Sequence, residues 1–574
     1  MSGDLPADID PIIAGKRLIR ASEHAVGRVR DRLEAQWNQL IWKSPLHRLR
    51  LKGRYPLKLL TIPEDPLRGD EEIGRAILNG LIRWRGETQD VASCTFTENA
   101  WSPGFARYMH SFAWLRDLAA LNDREATAPI AEQLMRAWLA AHGYMIADPS
   151  WRGDLAGLRL LFWVAHAPLI LSSPDIIYRS SVLSALARTA RHLEQVAGNT
   201  AKGVARIEAW AGAVAANLLM PGGEARRSFS EAGLKQALAK GLFEDGGPIC
   251  RSPERLAHML EALAMLQKVY AARGERADPI VAGALHDSMG LFGALILGDG
   301  ALSSWQGGLP MAKAHVDALS RGLAVRARPK RQSFDWGYQR LESAQTVIVM
   351  DAAPPPIGAT LDAACASTLA FEMSDGGHRL IVNCGGSQAG LVLASDALAQ
   401  ALRTTAAHST LVLADSNSTA LLGQGGLGAG VGQVEIDWQD TPAASRIQAS
   451  HDGYVRRFGL SHQRTLMLMP DGAEMRGADV LVPVRRTRHS TAFAVRFHLG
   501  LGVDASPTAV GNGALLRLPD GRMWQFRCQD GALTLEDSLW VDAQGQMHAT
   551  HQIVIAGDVP AGGTTINWVL KRAR

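Results

Sequence analysis

The sequence predicts an α+β chain of two domains, a helical one followed by an antiparallel β-sandwich, and three observations carry that expectation. At 574 residues the chain exceeds what a single hydrophobic core usually organises. From about Phe105 to Met289 the apolar residues recur every three or four positions, the period of helices that each bury one stripe. After Trp336 the period shortens to two, in short apolar or alternating runs punctuated by Gly, Asp and Pro.

In chain order, residues 1–100 read as a helical lead-in. GKRLIRASEHAVGRVRDRLEAQW is Arg-rich and helix-like, either a solvated helix face or an arm for a partner. Residues 101–335 form the helical domain. FARYMHSFAWLRDLAAL, APIAEQLMRAWLAAHGYM, LAGLRLLFWVAHAPLIL, DIIYRSSVLSALARTARHLEQV, AKGVARIEAWAGAVAANLL and PERLAHMLEALAMLQKVYAA each carry a buried stripe. Breaks as short as Ala147-Asp148-Pro149 between them imply stacked antiparallel helical hairpins. Residues 336–574 form the sandwich, through TVIVMDA, TLAFEMS, HRLIVNCG, STLVLAD, GQVEIDW, RTLMLMP, FAVRFHL, ALLRLPDG, MWQFRCQD, ALTLEDSLWV and QIVIAG.

Composition removes several classes of function. An apolar fraction of 47% with 20% charged residues belongs to a folded globular chain. A net charge of +4 suits an acidic ligand yet lacks the dense basic stripe of a nucleic-acid binder. Cys94, Cys250, Cys365, Cys384 and Cys528 form no CxxC pair, against a disulfide framework or a cysteine-built zinc site. GAGVGQ lacks a strand-to-helix context, so no phosphate loop and no organic cofactor is expected. The N-terminus has acids early and no apolar signal core, and no run reaches a membrane span. Cytoplasmic residence is therefore expected, with the periplasm or cell envelope the alternative if a leader has been trimmed; a homodimer is left open.

Several stretches together resemble the heparinase II/III-like family: HSFAWLRDL, RLLFWVAHAPLIL and DGGPICRSPE in the helical half, and GYQRL, TLAFEMSDGGHRLIVNCG, ALRTTAAHSTLVL, HDGYVRRFGLSHQRTL and RFHLG in the β half. The resemblance implies an α/α toroid before the sandwich and lyase chemistry on an acidic, uronate-containing polysaccharide. β-Elimination removes a weakly acidic proton beside a uronate carboxylate, so a site must neutralise that carboxylate and supply a base and an acid. Tyrosine serves where cations lower its pKa from about 10. Tyr454, flanked by His451, Arg456 and Arg457, matches the family tyrosine that transfers the proton, with His451 a further catalytic candidate; the plain alternative is a sandwich tyrosine bonded to a backbone carbonyl.

His408, Asp437 and His462 form a second constellation, two imidazoles and a carboxylate on neighbouring strand-like segments. They could hold a structural zinc or other divalent ion, as related lyases do, with His408 equally a catalytic candidate or a core histidine. In GVARIEAW, Arg206 or Glu208 stands where the family carries its Asn-His pair, and Arg206 is the candidate to neutralise the substrate carboxylate. Asp245 and Arg251 are candidates to line the cleft and bind an anionic sugar, with Ser252 capping the helix that opens at Pro253. Trp101, Trp151 and Trp305 are candidates for stacking on sugar faces, whereas Trp114, Trp138, Trp163 and Trp210 lie on helical stripes and read as core. A glycoside hydrolase would instead need two carboxylates across the cleft, for which Glu208, Glu244 and Asp245 are available. A glycan-binding protein without catalysis is the remaining alternative.

Overall fold

The computed structural model describes residues 14–21, 51, 58–97, 101–323, 325–356, 363–387, 396–422, 426–485, 490–529 and 531–573. Its first half is a toroid of helices: α1 (Glu71–Leu78), α2 (Pro103–Ser111), α3 (Trp114–Ala120), α4 (Arg124–His142), α5 (Gly153–Ala165) and α6 (Ala167–Ile170). There follow α7 (Ile176–Val196), α8 (Val204–Leu219), α9 (Glu224–Gly241), α10 (Pro253–Ala272), α11 (Pro279–Ala294) and α12 (Lys313–Leu323). Starts are written in the sequence. Ser102, Asp123, Asp175, Ser252 and Asp278 each accept a first-turn backbone N–H, and Pro103, Pro253 and Pro279 follow three of these caps.

Helices α5 and α8 are buried on nearly every side, as their all-round apolar sequences require, and form the inner wall. Glycine lets them touch. A Cβ on Gly212 would lie 2.4 Å from the Gly157 Cα, and one on Gly157 would lie 2.2 Å from the Glu208 carbonyl oxygen. This close crossing brings the N-terminal halves of α5 and α8 side by side.

Helices give way to strands between Leu323 and Tyr338. The strands in chain order are β1 (Gly15–Arg20), β2 (Leu81–Trp84), β3 (Glu87–Asp90), β4 (Tyr338–Ser343), β5 (Thr346–Asp351), β6 (Phe371–Asp375) and β7 (His378–Val382). Next come β8 (Leu411–Leu413), β9 (Gln433–Thr441), β10 (Ala444–His451), β11 (Leu460–Leu468), β12 (Glu474–Pro483) and β13 (Thr491–Leu499). The last are β14 (Asp504–Pro507), β15 (Gly513–Arg517), β16 (Met523–Cys528), β17 (Ala532–Val541), β18 (Met547–Val559) and β19 (Thr564–Arg572). One sheet has the order β1-β9-β10-β11-β12-β19-β16-β15-β14; the other runs β17-β18-β13-β7-β6-β5-β4, with β8 also on β13. All the pairings are antiparallel.

Residues 15–20 correct the helical expectation for GKRLIR: they form β1 and add an edge to the sandwich, Leu18 opposite Glu435. The rest of that Arg-rich segment lies outside the described residues. Strand β5 joins the domains. Every residue of TVIVMD is buried; Val347 and Val349 enter the helical core while Ile348 and Met350 enter the sandwich core, an alternation that a two-residue period enforces. At the same seam Trp336 lies against Gly247, its Nε1 donating to the Pro248 carbonyl at 3.1 Å. Among the described residues no helix is long and apolar enough to cross a membrane.

Candidate functional site

The β-half residues singled out from sequence are turned inward. Tyr454 is 1% exposed, in the sandwich core, and its hydroxyl donates to the Leu411 carbonyl at 2.9 Å. Burial raises its pKa above the ordinary phenol value, the opposite of what a proton-abstracting phenolate needs. Its basic flank points elsewhere: Arg456 and Arg457 are exposed on a one-turn helix. His408 is buried with Nδ1 donating to the Thr404 carbonyl at 2.7 Å; burial pushes its pKa down to about 4, against the pull of that carbonyl. His451 and His462 are buried against each other, Nε2 to Nδ1 at 3.3 Å, and His462 Nε2 lies 2.8 Å from Asp479.

The proposed metal set does not come together. Asp437 pairs with Arg446 at 2.8 Å on the outer face of β9, while Val434, Ile436 and Trp438 face inward. His462 faces inward on β11, so the sheet itself separates the two. Among the described residues no group of three His, Cys, Asp or Glu side chains could hold a metal ion. These residues do not fit a metal centre.

The helical-half candidates are likewise committed to structure. Arg251 is a rivet between the domains: its Nη2 meets Asp351 at 2.5 Å and its Nε donates to the Trp336 carbonyl at 2.8 Å. Asp245 accepts from Ser333 Oγ at 2.8 Å and from the backbone N–H groups of Gly247, Asp335 and Trp336, clamping the inter-domain connection. Arg206, half-buried, donates from Nε to the Thr200 carbonyl at 2.8 Å. Trp151 and Trp305 are core residues at 1% exposure, their indoles bonded to the His142 carbonyl and to Ser303 Oγ. Trp101 is half-buried, with its Nε1 on Gln89 at 3.0 Å.

A different constellation lies at the mouth of the toroid, where α2, α5, α8 and α10 begin. Arg107 of α2 bridges two acids, Glu208 of α8 at 2.6 Å and Asp154 of α5 at 3.3 Å. Arg152, just before α5, also holds Asp154 at 2.6 Å. Arg85, from the hairpin β2–β3, pairs with Glu254 of α10. The sandwich reaches this mouth: a Cβ on Gly545 would lie 3.6 Å from the Arg85 carbonyl oxygen. Burial alone would raise the pKa of Asp154, but Arg152 and Arg107, with Arg255 behind them, hold it near 2. Glu208 is fully buried; desolvation wins over Arg107 and Arg255, raising its pKa.

Two further side chains on α10 complete the cluster. Arg255 is half-buried, and its charge acts on Asp154, Glu208 and His258. Burial first, then Arg107, Arg255 and Arg85, depress the His258 pKa well below the ordinary imidazole value, so the ring is neutral at pH 7. Among the described residues, His258 Nδ1 and Glu208 Oε2 are buried without hydrogen-bond partners. The mouth thus combines guanidinium groups, a neutral imidazole and unspent hydrogen-bonding capacity, the equipment for holding an anion and accepting a proton.

Residues 325–569 match the family model described as heparinase II/III-like, C-terminal. Over that stretch the chain is similar to the heparinase II/III-like family. A curated relative, FtsZ-localized protein C of Caulobacter vibrioides, is 29% identical over 565 residues, covering 94% of each chain. Crystal structures share the fold: heparinase III, with a TM-score of 0.65 at 12% identity, is covered over 93% of its length by 96% of this chain. A mutant of heparan sulfate lyase HepC from Pedobacter heparinus gives 0.60 at 14% identity, over 96% of this chain and 90% of that one. The toroid and sandwich of this chain therefore share their fold with these structures.

Sequence reasoning missed Arg107, Arg152, Asp154, Arg255 and His258 as members of one site. The available signal was Asp154 and Glu208, isolated acids near the starts of helices otherwise suited to all-round burial.

Proposed function

We propose that the chain is a lyase-type protein for an acidic, uronate-containing polysaccharide, with the sugar acid bound at the toroid mouth rather than against Tyr454. The observation that carries this reading is the convergence of Arg107, Arg152, Arg255 and neutral His258 near the starts of neighbouring helices. In it Arg255 neutralises the uronate carboxylate. His258 takes the proton from the adjacent carbon; the C–H electron pair becomes the new double bond as the glycosidic oxygen departs, and the proton returns to that oxygen.

Incubation of the purified chain with uronate polysaccharides is expected to release an unsaturated, ultraviolet-absorbing product. His258→Gln lowers the rate about 100-fold or more, whereas Tyr454→Phe leaves it intact. Saturated products point to a glycoside hydrolase, and binding without products to a glycan-binding protein. The absence of both product and binding overturns the reading.

The likeness to FtsZ-localized protein C, spanning both domains, favours a second reading: the chain gathers at an FtsZ-containing assembly. A fluorescent fusion imaged beside FtsZ in dividing cells should form the same bands. A diffuse signal while FtsZ bands are present rejects it.

A further inference from the structure

We infer that the toroid mouth selects an unsulfated glycan carrying a single carboxylate at the recognised sugar. This rests on the glycan reading above and goes further by naming the charge density of the ligand. The basis is how the cations at the mouth are spent. Arg107 is shared between Glu208 and Asp154, Arg152 is held by Asp154, and Arg85 is held by Glu254. Three guanidinium groups therefore meet three carboxylates, all three of the acids being buried. Arg255 stands apart: among the described residues its side chain has no ion pair and no hydrogen bond, although it lies in the field of Asp154, Glu208 and His258.

One uncommitted guanidinium fits one carboxylate, by the planar two-bond pairing that Arg makes best. The neutral imidazole of His258 adds hydrogen-bonding capacity through its unpartnered Nδ1 and no second positive charge. A sulfate beside the carboxylate would find every other guanidinium already neutralised. To bind, it would have to draw a guanidinium away from a buried acid, which is unfavourable. The buried carboxylates thus exclude densely charged chains, while Arg255 admits a sparsely charged one.

The test is equilibrium binding of polyglucuronic acid and of heparin to the full chain, to Arg255→Ala, to Arg255→Lys and to Arg321→Ala, an exposed surface control. Polyglucuronic acid is expected to bind about tenfold or more tightly than heparin, and Arg255→Ala to weaken it about tenfold or more. Arg255→Lys should restore part of the loss, and Arg321→Ala should change nothing; thermal melts confirm that each variant is folded. Heparin binding as tightly as polyglucuronic acid, or polyglucuronic acid binding that ignores Arg255→Ala, overturns the inference and leaves the glycan reading standing. Failure of both polymers to bind overturns both.

Discussion

Two ionic networks, one in the sandwich and one in the toroid, use nearly the same residue types and come out opposite. In the sandwich, His451, His462, Arg464 and Asp479 are all buried. The Gly453 N–H donates to His451 Nδ1, so His451 Nε2 carries the proton and donates to His462 Nδ1; His462 Nε2 then donates to Asp479. Arg464 grips both oxygens of Asp479 at 2.8 and 3.0 Å and spends Nη1 on the carbonyls of Leu369 and Ser409, while Trp568 adds a further bond to Asp479. These polar groups have partners throughout. At the toroid mouth Glu208 Oε2 and His258 Nδ1 have none. A satisfied buried network specifies a fold, whereas one with unspent groups bears a desolvation cost that a ligand can offset.

Removing the arginine from the sandwich network tests its half of the contrast and has the largest expected effect. Arg464→Met leaves Asp479 as a buried acid with only His462 and Trp568, and should cost about 3–5 kcal/mol of stability by chemical denaturation. Binding of polyglucuronic acid by the protein that remains folded should be unchanged. A loss under about 1 kcal/mol, which is what an exposed ion pair yields, would mean that this network is not the structural one.

The same contrast explains what was readable from the sequence. TVIVMD and FAVRFHL announce strands because apolar residues face a core from one or both sides. ASRIQASH and EMRGADVLVP, now β10 and β12, were not picked out: small and charged residues interrupt their alternation, and Gly477 stands in β12 to make room for Trp568. GKRLIR gave no strand signal because β1 is an exposed edge, held by backbone pairing rather than burial. For the site, HDGYVRR places basic residues beside a tyrosine, but one turn of helix sends the arginines to solvent and the phenol inward. Linear spacing carries no information about that divergence. The mouth was hidden for a different reason: Arg107, Asp154, Glu208 and Arg255 belong to four separate helices, and only the Gly157–Gly212 crossing brings two of them together.

The smallest expected effect, a flat line, sharpens the contrast from the toroid side. An ordinary imidazole titrates near 6.5, so a base of that kind loses activity as pH falls from 8 to 6. His258 is held well below that value by burial and then by Arg107, Arg255 and Arg85. Its basic form persists through this range, and product formation should stay level until pH falls toward the depressed value. Asp479 supplies the internal comparison. Arg464 and His462 overcome its burial and hold its pKa below the ordinary carboxylate value. Its contribution to stability is therefore present above the unfolded-state value of about 3.9 and is lost as pH falls through the folded one. Thermal melts across pH 6 to 8 should accordingly show no loss from this network. Activity that drops near 6.5 while the melts hold steady would mean that the His258 ring is solvated when it works, and that the mouth is not the desolvated site its unpartnered atoms imply.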